Sequence, residues 1–299
     1  MQSLQALQTL IKQFCSTPIH VTEIPRVWLV RSDTTTEPMH VVYEPVLCIV
    51  AQGRKQAFLN RQVINYDTSN YLVVSVDLPV TGVVSEASLD KPYLAFALTL
   101  DRTLLADMLL DMPPVPDVAE QHRGYGVSPI SDDLLDPVVR LLRLLERPAD
   151  IPMLAPLIER EILYRLLSGP QSAMLRQIAL SGSHLSQIGR AIDWIKRHYA
   201  EAFSVEHLAR LSNMSESAFH RHFKSVTEMS PLQYQKRIRL QEARKRLLID
   251  EADAASVGFA VGYGSPSQFS REYTRLFGAP PARDAVRLRR STADLAQVA

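Results

Sequence analysis

The chain lacks most of what marks a secreted, membrane-spanning or disulfide-built protein. It has two cysteines in 299 residues, Cys15 and Cys48, and their separation matches no metal-binding spacing. So few thiols argue against a disulfide framework and make the cytoplasm the expected compartment. Met1 to Lys12 has no basic segment ahead of an apolar core, so no signal peptide is expected. No apolar run approaches the roughly 20 residues of a bilayer span, and no membrane partner is expected. Low-complexity tracts are missing too. So is an excess of one charge, the formal net charge being +1.

That near-neutrality hides an asymmetry. Residues 181–299 hold 18 Lys and Arg against 12 Asp and Glu, a charge of +6. Residues 1–180 hold 15 against 20, a charge of −5. The basic half suits a polyanionic partner and the acidic half does not. The length allows two domains, each with its own core.

The two halves also differ in texture. Residues 4–15 carry Leu4, Leu7, Leu10, Ile11 and Phe14 at helical spacing. From Ile19 to Leu100 the chain turns β-branched and aromatic in short runs such as Val46 to Val50, Tyr71 to Val76 and Tyr93 to Leu100. Polar or Pro/Gly breaks separate them, the pattern of an all-β sandwich or barrel. Leu59 to Gln62 reads as a hairpin tip. Asp101 reads as a helix cap for Leu104, Leu105, Met108 and Leu109. Residues 112–130, with four prolines and two glycines, read as a linker. Leucine-rich helices are expected from Ser131 or Asp132 to Pro148, and over 152–167. Their surplus leucines would close the β domain or form a dimer seam.

The C-terminal half repeats one device about fifty residues apart. Ser204 caps a short helix with Val205, Leu208, Ala209 and Leu211. Ser212-Asn213-Met214 turns, and Ser215 caps a second helix with Ala218, Phe219 and Phe223 inward. Further on, Ala255, Val257, Gly258 and Val261 make a supporting helix, and Gly262 and Gly264 allow a tight turn. Ser265 then caps, Pro266 takes the first helical position, and Phe269, Tyr273 and Phe277 face inward. This is a helix-turn-helix written twice, and such a unit reads the major groove with the outward residues of its second helix. Arg221 can meet guanine O6 and N7 bidentately, with Ser217 and His220 at neighbouring bases. Ser267, Ser270 and Arg271 are their counterparts. Lys224 and Arg275, one turn on, suit phosphate.

A helix from Pro231 to about Leu248 separates the units. At about 18 residues it is roughly 27 Å long, enough to hold two reading helices about one DNA turn apart. Lys236, Arg237, Arg239, Arg244, Lys245 and Arg246 read as its outer face. A final short helix carries Arg283, Arg287, Arg289 and Arg290.

The run from His220-Arg221-His222-Phe223-Lys224 through Met229-Ser230-Pro231-Leu232-Gln233-Tyr234 and Arg239-Leu240-Gln241-Glu242-Ala243-Arg244 resembles the AraC/XylS family of transcription regulators. Val261-Gly262-Tyr263-Gly264-Ser265-Pro266-Ser267-Gln268-Phe269-Ser270-Arg271-Glu272-Tyr273 and Phe277-Gly278-Ala279-Pro280-Pro281 continue the match, about 100 residues in all. The resemblance implies an α+β two-domain chain. Residues 1–183 would form a cupin-like β-barrel or sandwich with trailing helices, which senses an effector or dimerises. Residues 184–299 would form an all-α, homeodomain-like double helix-turn-helix. It implies base contacts at Ser217, His220, Arg221, Pro266, Ser267, Ser270 and Arg271. Pro266 departs from a polar base reader, so any contact there would be apolar, as with a thymine methyl. The implied partners are double-stranded promoter DNA, RNA polymerase, a small-molecule effector and a second copy of the chain. The implied output is activation.

Other readings stand beside it. The β domain could serve only to dimerise. A cupin-type metal enzyme needs clustered His and carboxylate ligands, and this region offers only His20, His40 and Glu44, so neither metal nor cofactor is expected. A DNA-repair enzyme would need a cysteine cluster that is missing. Cys48, in an apolar strand, reads as a small buried hydrophobe or as a reactive thiol. No motif in residues 1–180 names effector-binding residues.

Overall fold

Helix α1 (Gln2–Phe14) lays Leu7, Leu10 and Ile11 onto the β region, as its spacing predicts. The computed structural model describes residues 2–113, 123–180, 182–249 and 253–297, the last eight by backbone alone. Nine strands follow in order: β1 (Ile19–Val21), β2 (Val27–Ser32), β3 (Met39–Tyr43), β4 (Val46–Gln52), β5 (Arg54–Leu59), β6 (Gln62–Asp67), β7 (Asn70–Val74), β8 (Leu78–Glu86) and β9 (Tyr93–Thr99). After α2 (Arg102–Asp111) comes β10 (Tyr125–Pro129). Asp101 caps α2, accepting from the amides of Thr103 and Leu104.

The strands form two antiparallel sheets. One runs β1-β2-β9-β4-β7-β10 and the other β3-β8-β5-β6. Alternation along β2 and β4 explains the layering. Leu29, Leu47 and Ile49 are fully buried, on strands against which α1 packs. Their neighbours Trp28, Val30, Val46 and Cys48 line the space between the sheets. The expected hairpin tip is a two-residue loop, Asn60-Arg61. Asn60 supplies the left-handed residue, at φ 54°, in place of glycine.

The linker expected over 112–130 is partly a strand. Residues 114–122 lie outside the described residues, but β10 pairs along β7 from Tyr125↔Val74 to Pro129↔Asn70. An edge position is where Pro and Gly are tolerated in a sheet.

Helices α3 (Asp132–Arg143) and α4 (Ile151–Leu167) pack together, and α3 also packs on α1. The pair of Arg26 Nη2 with Oε2 of the buried Glu159, at 2.6 Å, ties α4 to the β region. The surplus leucines of α3 are buried there, whereas α4 leaves Met153, Leu154, Leu157 and Tyr164 exposed. A short helix not anticipated from the pattern, α5 (Ser172–Ala179), bridges α2 to α6 (His184–Arg197).

The remaining helices are α7 (Val205–Leu211), α8 (Glu216–Thr227), α9 (Pro231–Ile249), α10 (Ala254–Ala260), α11 (Pro266–Phe277) and α12 (Pro281–Gln297). At 17 residues α12 is longer than the short helix expected. The core of the β region runs without a break through Leu208, Phe219, Phe223, Tyr234 and Ile238. A second, separate core collects Leu240, Leu247, Val257, Val261, Phe269, Tyr273 and Phe277.

Candidate nucleic-acid interface

Both helix-turn-helix units form as their spacing predicts. In the first, Ser204 Oγ accepts from the His207 amide at 3.1 Å and starts α7. Asn213 turns the chain at φ 50°. Ser215 Oγ then accepts from the Ala218 amide at 3.4 Å and starts α8. Phe219 and Phe223 are fully buried, so the opposite face of α8 is turned outward. That face presents Ser217, His220, Arg221 and Lys224, all exposed. His222 is not on it: the ring is buried and stacked on His184, with centroids 4.2 Å apart.

In the second unit the cap of α10 is Asp253, which accepts from the amides of Ala255 and Ser256. Those bonds and the Ser256 hydroxyl hold its carboxyl below the usual carboxylate range. Gly262 makes the turn at φ 92°, and a Cβ there would run into the Ala200 carbonyl. Gly264 needs no left-handed backbone. Ser265 stands at the cap position of α11 with no side-chain cap bond, and Pro266 opens the helix. Phe269 and Tyr273 are buried behind it. Pro266, Ser267 and Arg271 are exposed in front, Ser270 is half-buried and Arg275 is exposed. Arg271 Nε donates to the Ser267 carbonyl at 3.3 Å. Arg275 borders an interdomain cavity shared with Asn60, Lys236 and Arg237.

The basic face expected on α9 is mostly not an outer face. Arg239 donates from Nε to the Tyr199 carbonyl at 2.6 Å and from Nη1 to the Gly262 carbonyl at 2.8 Å. Its Nη2 reaches the carbonyls of Ala200 and Glu201. One guanidinium thus satisfies orphan carbonyls after α6 and locks them to the turn of the second unit. Arg244 makes a two-pronged pair with Asp284, at 2.8 and 3.2 Å. Asp284 is fully buried and accepts further from Tyr273 and Arg287. Arg246 donates to the Tyr199 hydroxyl, Lys236 pairs with Glu272, and Lys245 pairs with Glu242. Burial lowers the pKa of Arg237.

The β domain grips this helical half. Lys196 Nζ lies 2.7 Å from Asp77 Oδ2, and Tyr234 donates its hydroxyl to the Asp77 carbonyl at 2.9 Å. Gln241 donates to the Val41 carbonyl at 3.1 Å, and Asn60 to the Glu228 carbonyl at 3.0 Å. His40 meets the edge of Phe277 at 4.8 Å. Its pKa falls to about 4 through burial, then through the charges of Arg244 and Arg237, against the pull of Asp284.

Sequence reasoning found no ligand residues in the β domain, yet a cavity of about 220 Å³ lies between the sheets. Trp28, Cys48 and Tyr93 line it from one sheet, and Tyr43, Lys55 and Tyr66 from the other. The Tyr43 and Tyr66 hydroxyls are 2.9 Å apart. Burial pushes the Cys48 thiol up to about 11, opposed by Lys55, so little thiolate is present at neutral pH. Among the described residues no three His, Cys, Asp or Glu come together as a metal-holding group, and no helix is long and apolar enough to cross a membrane.

Comparison with known proteins agrees with this geometry. Residues 208–290 match the model of a helix-turn-helix domain. The transcriptional activator RhaS of Salmonella schwarzengrund is 27% identical over 177 residues, which is 56% of this chain. RhaS of Salmonella paratyphi B is 28% identical over 178 residues. The chain spans 62% of the length of these curated relatives. Among solved structures, ToxT of Vibrio cholerae O395 bound to (E)-4-(8-methylnaphthalen-1-yl)but-3-enoic acid superposes with a TM-score of 0.58 at 10% identity. It covers 91% of this chain and all of its own. ToxT of strain SCE256 with an unsaturated fatty acid gives 0.54 at 10% identity, covering 87% and 93%. At that identity the likeness is one of fold. The model of the AraC-type transcriptional regulator N-terminus matches residues 23–174, just over half of the chain, and with that match the chain belongs to the AraC-type transcriptional regulators.

Proposed function

We propose that the chain is a transcriptional regulator that binds promoter DNA in two consecutive major-groove segments. The β domain would sense a small molecule and pass its state to the DNA-binding half. The observation that carries this reading is the repeated display of exposed polar side chains on the first turns of α8 and α11, each backed by buried aromatics. Ser217, His220 and Arg221 are the proposed base readers of the first unit, and Ser267, Ser270 and Arg271 those of the second, with Pro266 as an apolar contact. Lys224 and Arg275 are the proposed phosphate contacts, Arg275 from the rim of the interdomain cavity. The basic C-terminal half supports attraction to a polyanion.

Activation, and with it contact to RNA polymerase, is proposed on the description of RhaS as an activator. A small-molecule effector is proposed because the β domain holds a lined cavity and because ToxT, of similar fold, is described with bound organic acids. A homodimer through the face of α4 centred on Leu154 and Leu157 is proposed because that face is apolar and exposed. The cytoplasm is the proposed location. No enzymatic activity is proposed.

Selection of bound sequences from a random DNA pool, then footprinting of the winner, tests the reading. The expected result is a protected site covering two neighbouring major grooves on one face of the duplex. Binding with no sequence preference at all would sink it. If DNA binding holds but no small molecule alters it, the β domain serves dimerisation instead.

A further inference from the structure

The cavity between the two sheets contains a charge that no carboxylate of the described residues balances. Lys55 sits on β5 directly opposite Tyr66 of β6. Its Nζ lies 5.4 Å from the centre of the Tyr43 ring, beside the Tyr43 hydroxyl. Room for this arrangement comes from Gly82 on the neighbouring strand, where a Cβ would meet Lys55 Cε at 3.2 Å and the Tyr43 hydroxyl at 3.4 Å. No carboxylate of the described residues lies within ion-pair distance of Lys55. The carboxylate nearest the cavity is that of Glu44 at its rim, which is exposed and lies 3.8 Å from Lys196 instead. Burial presses Lys55 toward its neutral form, while Tyr43 and Cys48 beside it press the other way and leave its pKa raised. A cation half-buried in such an interior is stabilised when an anion joins it. Apart from Thr99, the rest of the wall is mainly apolar or aromatic, with Trp28, Val30, Val46 and Tyr93 among it.

We propose that this cavity binds a small apolar monocarboxylate, its carboxylate held by the Lys55 ammonium and the Tyr43–Tyr66 hydroxyl pair and its body lying against Trp28 and Tyr93. About 220 Å³ is below the range typical of drug-sized sites. That size encloses a single ring or a short branched chain. The two tyrosines suit the role because one can donate to the carboxylate while accepting from the other. The inference rests on the reading of the β domain as a sensor and adds the chemical class of what it senses.

The test uses the full chain, with benzoate and cyclohexanecarboxylate as probes and benzamide as the uncharged analogue of the first. Binding is followed by calorimetry and thermal shift, and DNA binding is measured on the same preparations. Both carboxylates are expected to bind saturably, with benzamide weaker by about tenfold to a hundredfold. K55M should weaken the carboxylates by a similar factor while leaving benzamide unchanged, and Y43F should weaken them about threefold to tenfold. If K55M does not fold, Y43F alone carries the comparison. Equal binding of benzamide and benzoate, or carboxylate binding indifferent to both substitutions, overturns the proposal. So does the absence of binding by either acid. DNA binding that persists in any of these cases keeps the regulator reading and removes only the ligand class. Failure of the unliganded wild-type chain to bind DNA strikes the regulator reading instead.

Discussion

At the scale of single residues, the proposed function and the stability rest on different arginines that look alike in the sequence. Arg221 is exposed, and no bond to the described residues holds it back from a base edge. Arg221→Ala should cost ~1–3 kcal/mol on the selected site and relax preference at one base pair. Equal losses on specific and scrambled DNA, read by fluorescence anisotropy, would show that Arg221 reads no base. Lys224→Ala should weaken all sequences alike and lower the salt slope of binding by about 1. Arg244 is the opposite kind of residue. It neutralises Asp284, a carboxylate with no exposed surface that also accepts from Tyr273 and Arg287. Asp284→Ala strands that guanidinium and should destabilise by about 3–5 kcal/mol. A melting temperature within a degree of wild type would contradict this account. Periodicity placed Arg239 and Arg244 outward because it sees only their own helix. Their partners, the carbonyls near Tyr199 and Asp284, are about forty residues away. Lys55 escaped notice for a related reason. In Arg54-Lys55-Gln56 it reads as one of several polar strand residues, and only the second sheet turns its side into an interior.

At the scale of elements, the signals that worked were local ones. Serines at Ser204 and Ser215, Pro266 at a first helical turn and Asp101 before a leucine run each mark a start that the fold honours. Ser204→Ala removes the acceptor of the His207 amide and should cost about 1 kcal/mol. Thermal or urea denaturation would measure it, and Ser204→Asp should restore most of the loss. Ser265→Ala should cost less, since Ser265 makes no such bond. What sequence could not supply was the pairing of weak segments. Strand β10 sits among prolines and glycines, and its extended form depends on β7. Helix α5 has eight residues and follows a Gly-Pro stop, too short for a periodic signature to stand out. The two sheets were foreseeable as a class from short β-branched runs. Their order was not, because β9 pairs with both β2 and β4 across long stretches of chain.

At the scale of the whole molecule, the β domain holds the linker helix through contacts that hydrogen ions can disturb. His40, on β3, faces Arg244, Arg237, Asp284, Thr81 and Phe277. Its folded pKa, about 4, is below the ordinary 6.5. The unfolded chain therefore binds this proton more readily. The contribution of neutral His40 is complete above about pH 6.5 and is lost as pH falls from there through about 4. His40→Phe should flatten that limb of a stability-against-pH curve, and an unchanged limb would assign it to other groups.

The division of the interior has a consequence for how the molecule comes apart. Phe219, Phe223 and Tyr234 share one unbroken core with the β domain, while Phe269, Tyr273 and Phe277 belong to another. Cooperative opening follows shared burial. Helix α8 is therefore as hard to open as the β domain itself, and its amides should exchange with solvent only in global unfolding. Helix α11 can open alone, with amide exchange at a lower free energy. One helix-turn-helix unit is thus an extension of the β domain, and the other, though tied to it by polar contacts, keeps a core of its own.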